Sequence, residues 1–210
     1  MNERQPSLFS YIVATDHGFA PNPFGGVCTL SCYKPRLRHN ANFHDWVIGT
    51  APPSTKERLI YAMRIDRALT FDVYWNSKEY EFKKPGKNNC CGDNIYHEGL
   101  KGEFIQEPSI FRNSHDVKKD TSVNRVLISK TFYYFGKEAP VIPKKFNAIL
   151  QTVVQGHKRI KPDAAQYGSV SAFLLWLQEN FQPGIHGDPA QVKDKCKLPA
   201  DAFSSISGIN

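Results

Sequence analysis

"RLIYAMRI", Arg58 to Ile65, decides the fold class. Leu59, Tyr61, Met63 and Ile65 alternate with Arg58, Ile60, Ala62 and Arg64. That period of two gives a strand with one strongly apolar face and one mixed face. Just upstream, "DWVIGTA" (Asp45 to Ala51) reads as a second apolar strand. Downstream, "TFDVYWNS" (Thr70 to Ser77) reads as a short helix with Thr70 as its N-cap. "LFSYIVA" (Leu8 to Ala14) is another strand, and "CTLSCYKPRLR" (Cys28 to Arg38) begins as one, with Pro35 placing it at an edge or bulge. "NRVLIS" and "TFYYFG", from Asn124 to Gly136, read as a late strand pair.

The last third changes period. In "PKKFNAILQTVVQG" Phe146, Ile149, Leu150 and Val153 fall at helical spacing between Pro143 and Gly156. In "SVSAFLLWLQENFQPG" Val170, Phe173, Leu174, Leu177 and Phe181 mark one helix face, stopped by Pro183–Gly184. Strands first and helices later predict an α+β fold: a small, curved, mostly antiparallel sheet or barrel with flanking helices. The expected domain covers residues 1–185, and 186–210, with weak periodicity, is a C-terminal arm.

Hydrophobic content of 40% fits a packed globule rather than a disordered chain. No apolar run approaches the ~18 residues of a membrane span. A polar N-terminus, MNERQPS, and five irregularly spaced cysteines are read as a cytoplasmic chain with reduced thiols. The net charge of +7 attracts polyanions without choosing among them, so DNA or a nucleotide is the expected partner.

Three polar stretches could carry chemistry. "DHGFAPNPFGGVCTL" puts about ten residues, His17 to Gly26, between two strands, where a hairpin needs two to five. It matches no phosphate-binding glycine fingerprint; its glycines serve turn geometry or close approach to a ligand. "KNNCCGDNIYHEG", Lys87 to Gly99, holds Asp93, Asn94, Tyr96 and His97, either as Asx-turns or as a pocket rim. "FRNSHDVKKDTSVNR", Phe111 to Arg125, gathers His115, Asp116 and Asp120 without HExxH or other metal-ligand spacing, so no metal and no cofactor is expected. The three loops are expected to meet at one end of the sheet. There Phe19 and Phe24 either wall a base or plug the sheet end. Asp16, Asn22, Asn94, Tyr96 and Asp120 are candidate ligand contacts, and Lys34, Arg36 and Arg38 candidate phosphate contacts. Asp93, His97, His115 and Asp116 are the candidate catalytic set, should the protein be an enzyme that modifies or processes a nucleobase rather than a binder.

Several stretches together, "ATDHGFAPNPFGGVCTL", "DWVIGTA", "RLIYAMRIDRALTFDVYW", "GDNIYH" and "HDVKKDTSVNRVLIS", resemble the bacterial and phage family called nucleotide modification associated domain, type 2. The resemblance spans roughly Tyr11 to Phe181. It implies a DNA-modification context, binding of a nucleotide or modified base, and association with other DNA-modification proteins. Where that family often has a cysteine before the Lys-Pro pair this chain has Tyr33, which argues against a shared metal role for Cys28 and Cys32. "HDWVIGTA" followed by "RLIYAMRIDRALTFDVYW" also resembles the core of PUA-like barrels of the EVE and ASCH kind, which implies a nucleic-acid-binding barrel.

Overall fold

A computed structural model describes residues 5–53 and 57–191. The period-two segment forms β4 (Leu59–Arg64), buried from Leu59 to Met63 on both faces. It lies inside a six-stranded sheet rather than half-exposed on its surface. On one side it pairs antiparallel with β3 (Trp46–Thr50), which pairs parallel with β1 (Leu8–Ile12). On the other side lies β9 (Thr131–Tyr134), antiparallel to β4. The sheet ends in β10 (Lys158–Ile160) beside β1 and the two-residue β11 (Gly184–Ile185) beside β9. Gly49 lets β3 and β4 approach closely: a Cβ there would meet the Tyr61 ring at 2.3 Å. The Tyr61 hydroxyl crosses this gap to donate to the Tyr11 hydroxyl at 2.9 Å.

A second sheet orders β2 (Cys28–Leu30), β8 (Val126–Ser129) and β5 (Arg67–Leu69), all antiparallel. β6 (Tyr96–Glu98) and β7 (Phe104–Gln106) form a separate antiparallel hairpin. Two corners carry the chain between the two larger sheets, after β4 and after β8. Asp66 serves both: its N–H donates to Ile128 O, and its Oδ2 accepts from Lys130 N–H at 2.6 Å and Thr131 N–H. The fold is α+β with curved, mostly antiparallel sheets, and among the described residues no barrel closes. β8 and β9, expected as a pair, are consecutive but do not pair with each other; the corner at Lys130 sends them to different sheets.

The helices follow local signals. Thr70 caps α2 (Phe71–Asn76) by accepting from Val73 N–H at 3.3 Å. A four-residue helix, α3 (Val117–Asp120), closes the third polar loop. α4 (Tyr167–Asn180) buries Val170, Phe173 and Leu177 against the larger sheet's core, with Leu174 and Phe181 partly buried beside them. The helix expected over 143–156 is one 3-10 segment, Lys144–Ile149, that buries Phe146 and Ile149. Beyond it the β-branched run Thr152–Val154 leaves Val153 and Val154 exposed.

The strand expected through Arg38 ends at Leu30. Tyr33 and Lys34 adopt left-handed φ values of 60° and 42°, and Pro35 then opens α1 (Pro35–Asn40). Residues 186–191, where the arm was expected to begin, lie against the core: His186 N–H donates to Tyr134 O, and Gln191 N–H to Asp16 O. Residues 192–210 lie outside the described residues.

Candidate functional site

The three polar loops meet. Asn22 Nδ2 donates to Cys91 O at 2.6 Å and the Cys91 thiol to His17 O, joining the first loop to the second. The Tyr96 hydroxyl donates to Asp120 Oδ2 at 3.1 Å, joining the second to the third. Phe111 completes the circuit, its ring 5.0 Å from those of both His17 and Phe19.

Much of what was expected to face a ligand is interior. Phe19, Asn22, Phe24, Asn94, Tyr96, Asp16, Asp93 and Asp120 are all buried. Two charged networks hold the polar ones other than Asp16. In the first, Asp93 accepts from the Thr29 hydroxyl at 2.8 Å and the Tyr74 hydroxyl at 2.9 Å. Lys83, 1% exposed, donates to Asn22 O, Asn22 Oδ1 and Val27 O, which takes up its three protons. Burial pushes the Asp93 carboxyl above its ordinary range, with Lys83 opposing. In the second, Arg112 pairs with Asp120 at 2.6 Å and with Asp116 at 3.2 Å. Asp16 stands apart from both. It accepts from the Tyr134 hydroxyl at 2.6 Å and from Gly18 and Ala190 N–H, and burial raises its pKa.

Arg38 was expected near phosphate. It is fully buried and donates to the carbonyls of Tyr33, Val123, Arg125 and Asp120. The reason is the helix that replaces the strand: on α1, Leu37 and Arg38 turn inward and Arg36 outward. Gly25 and Gly26 of the first loop take φ values of 73° and 75°, and the Phe82 ring lies where a Cβ of Gly25 would stand. That is turn geometry with close packing.

The expected catalytic four are dispersed among different partners. Asp93 is enclosed as above and Asp116 pairs with Arg112. His115 is exposed, its N–H bonded to Asn113 Oδ1. His97 Nε2 lies 2.9 Å from Glu107 Oε1, with its ring stacked on Trp75 at 4.6 Å. A cleft of about 600 Å³ opens beside this pair, lined by Trp75, Glu81, Lys84 and Glu107 among others. Its Lys84 is already paired with Glu81 and seated over the Trp75 ring.

Cysteine chemistry is muted. Cys28, Cys32 and Cys91 are buried thiols, each raised by burial, Cys28 and Cys91 to about 12. They are therefore protonated at neutral pH and poor nucleophiles. Cys90 is disulfide-bonded, which departs from the expectation of reduced thiols throughout. Among the described residues no cluster of His, Cys, Asp and Glu is arranged to hold a metal ion.

A smaller cleft, about 170 Å³, lies at the end of β1 between Tyr11–Thr15, Ala20, Tyr33, Lys34 and Val154. Its rim is cationic. The Lys34 ammonium sits 4.9 Å above the Tyr11 ring and donates to Val154 O and Gly156 O. Next to Gly156, the His157 ring lies 5.7 Å from Phe9, and the Arg159 guanidinium lies 5.1 Å from the same ring. Burial and then Lys119 lower the Lys34 pKa; burial and then Lys34, Arg159 and Arg36 lower that of His157. Lys34, Arg36, Lys119 and Arg159 are therefore four cations gathered around His157, which burial and its cationic neighbours hold toward its neutral form. None forms an ion pair among the described residues, whereas Arg64, Arg67, Lys84, Arg112 and Lys137 all do. Of the rim, only Lys34 and Arg36 had been singled out from sequence. Lys119 and Arg159 entered only through the net charge of +7, Tyr33 only as a departure from the family pattern, and His157 carried no local signal.

No curated protein and no solved structure gives a significant match to the chain. The profile of one family, described as nucleotide modification associated domain 2, matches residues 5–196, most of the chain. The protein with this loop assembly and cationic rim belongs to the nucleotide modification associated domain 2 family.

Proposed function

We propose that the protein binds a nucleotide or nucleic acid, in the context of nucleotide modification, with its phosphates on the cationic rim of the Tyr11–Thr15 cleft. The observation that carries this is that Lys34, Arg36, Lys119 and Arg159, gathered with His157 beside one cleft, form no ion pair among the described residues. Crowded like charges raise the free energy of the empty state, and a polyanion relieves it while releasing counterions. The family supplies the nucleotide context. No helix among the described residues is long and apolar enough to cross a membrane.

The test is binding of a labelled oligonucleotide across a salt series. The plot of log K against log salt should be steep. The double variant Arg36→Ala/Lys119→Ala should flatten it by roughly 1.5, the loss of two phosphate contacts. An unchanged slope removes the rim from the site.

A second reading, an enzyme acting on a nucleobase, draws on one observation: the His97–Glu107 contact at the wall of the larger cleft, where a carboxylate can orient a general base. Incubation with DNA and nucleotides followed by nucleoside mass spectrometry tests it. A new nucleoside species that disappears in His97→Gln would support it, and no product would count against it.

A further inference from the structure

We propose that the small cleft takes a single unpaired base carrying a phosphate, stacked on Tyr33, rather than a base pair inside a duplex. This rests on the reading of the rim as a phosphate site.

Size comes first. About 170 Å³ is well below the ~300–1,000 Å³ of sites that enclose whole drug-sized ligands. It suits one planar ring with its sugar and phosphate outside, at the rim.

Among the described residues, Tyr33 is the only aromatic side chain lining this cleft that is also substantially exposed, at 37%. The Arg112 guanidinium lies 4.1 Å from its ring centre, and the Phe19 ring stands perpendicular to it with centres 6.4 Å apart. A base on the remaining face would complete a guanidinium–tyrosine–base stack. The ring is held there at a cost. Tyr33 and Lys34 are consecutive non-glycine residues in the left-handed region, and such backbone strain gathers at ligand clamps. Asp120 Oδ1 accepts the Tyr33 N–H at 3.0 Å, and Arg38 Nε donates to the Tyr33 carbonyl at 2.9 Å. The buried network thus fixes the turn that brings the Tyr33 ring and the Lys34 ammonium to one cleft.

The cleft also offers a polar edge. β10 pairs with β1 only as far as Ser10. Val13 N–H donates to Thr50 O on the β3 side. Backbone groups alternate sides along a strand, so the amide and carbonyl of Ile12 turn to the edge that β10 has left. A donor and an acceptor side by side match the hydrogen-bonding edge of a base. In a duplex that edge is occupied by the partner base.

The experiment measures anisotropy of a labelled single strand of about 12 nucleotides and of a hairpin duplex of the same sequence, with deoxynucleoside monophosphates as competitors. The single strand should bind at least about tenfold tighter than the duplex. Tyr33→Leu should weaken single-strand binding about 5- to 150-fold while leaving duplex binding within about twofold, and Tyr33→Phe should retain the preference. A 2-aminopurine base in the strand should be quenched on binding to the native protein and to Tyr33→Phe but not to Tyr33→Leu, a readout that does not depend on affinity. Displacement by the monophosphates would make a free nucleotide the source of the base; strand binding without displacement would make it the polymer. Equal affinity for strand and duplex, or an unchanged Tyr33→Leu, overturns the proposal. The rim reading then survives if the salt slope still falls in Arg36→Ala/Lys119→Ala. Absence of any binding overturns both.

Discussion

In the interior, Arg38, Lys83 and Arg112 are enclosed by carbonyls and carboxylates, while at the mouth of the small cleft Lys34, Arg36, Lys119 and Arg159, with His157 among them, meet no carboxylate among the described residues. Arg36 and Arg38 show the difference over two residues of one short helix. A cation removed from water needs its full set of acceptors, because an unmet charge in the interior costs several kcal/mol. A cation left at the surface without a carboxylate is cheap to hold and available to an external anion. The inner set fixes the backbone of three loops, and the outer set gives that fixed backbone something to bind.

The sharpest way to break this contrast is to remove an inner charge. Arg112→Ala leaves the fully buried Asp120 without its cation and should destabilise by about 3–5 kcal/mol in urea unfolding. Arg38→Ala strips the donors from four carbonyls and should fall in the same range. A loss below about 1 kcal/mol for both would mean that the inner charges are not structural.

A smaller effect is expected at Asp93. Thr29→Val keeps the shape of the side chain but removes a donor to a buried carboxylate, at a cost of about 1–3 kcal/mol. Tyr74→Phe tests the other oxygen. The double variant should lose less than the sum of the two, because the carboxyl can then take up a proton, a coupling a double-mutant cycle reads directly.

Asp16 sharpens the comparison through pH. Its folded-state pKa is raised above the ordinary 3.8, by burial first, against the donors Tyr134, Ala190 and Gly18. The folded protein therefore holds this proton to a higher pH than the unfolded chain does. Stability from this group is fully present below about pH 3.8 and is lost as pH rises through the folded value. Asp16→Asn removes the titration. The melting temperature of the native protein minus that of Asp16→Asn should decline as pH rises from about 3.8 and then level off. A difference that grows with pH would show that the donors outweigh burial.

How far the sequence disclosed this arrangement depends on whether a signal was local. β3, β4, α2 with its Thr70 cap and the α4 stripe were legible because period and capping act within a few residues. "YKPRLR" misled because alternating charge imitates a strand; Pro35 at the first helical position was the countersignal, and the left-handed Tyr33–Lys34 turn depends on Asp120, far along the chain. β8 and β9 were seen as strands, but their partners are set by a corner that Asp66 holds from another segment. The loops were legible as long and polar, and their composition could not say which polar residues would be buried. Arg38 and Arg36 are the same residue in the same run, and only the helix phase separates them.

The smallest expected effect follows from that phase. Arg36→Ala changes an exposed side chain at the second position of α1 that makes no ion pair among the described residues. Its stability should stay within about ±0.5 kcal/mol of the native protein. The sign should be slightly favourable at low salt, because removing one of four crowded cations relieves repulsion that ions screen over a Debye length of ~10 Å at 0.1 M. Urea unfolding at low and high salt reads this: any gain should be present at low salt and absent at high salt. The comparison with Arg38→Ala is then internal to one helix, with equal loss of helix-forming side chain and equal loss of charge. If Arg36→Ala instead destabilises by more than about 1 kcal/mol, Arg36 has a structural partner and the division between inner and outer charge fails at the helix that defines it.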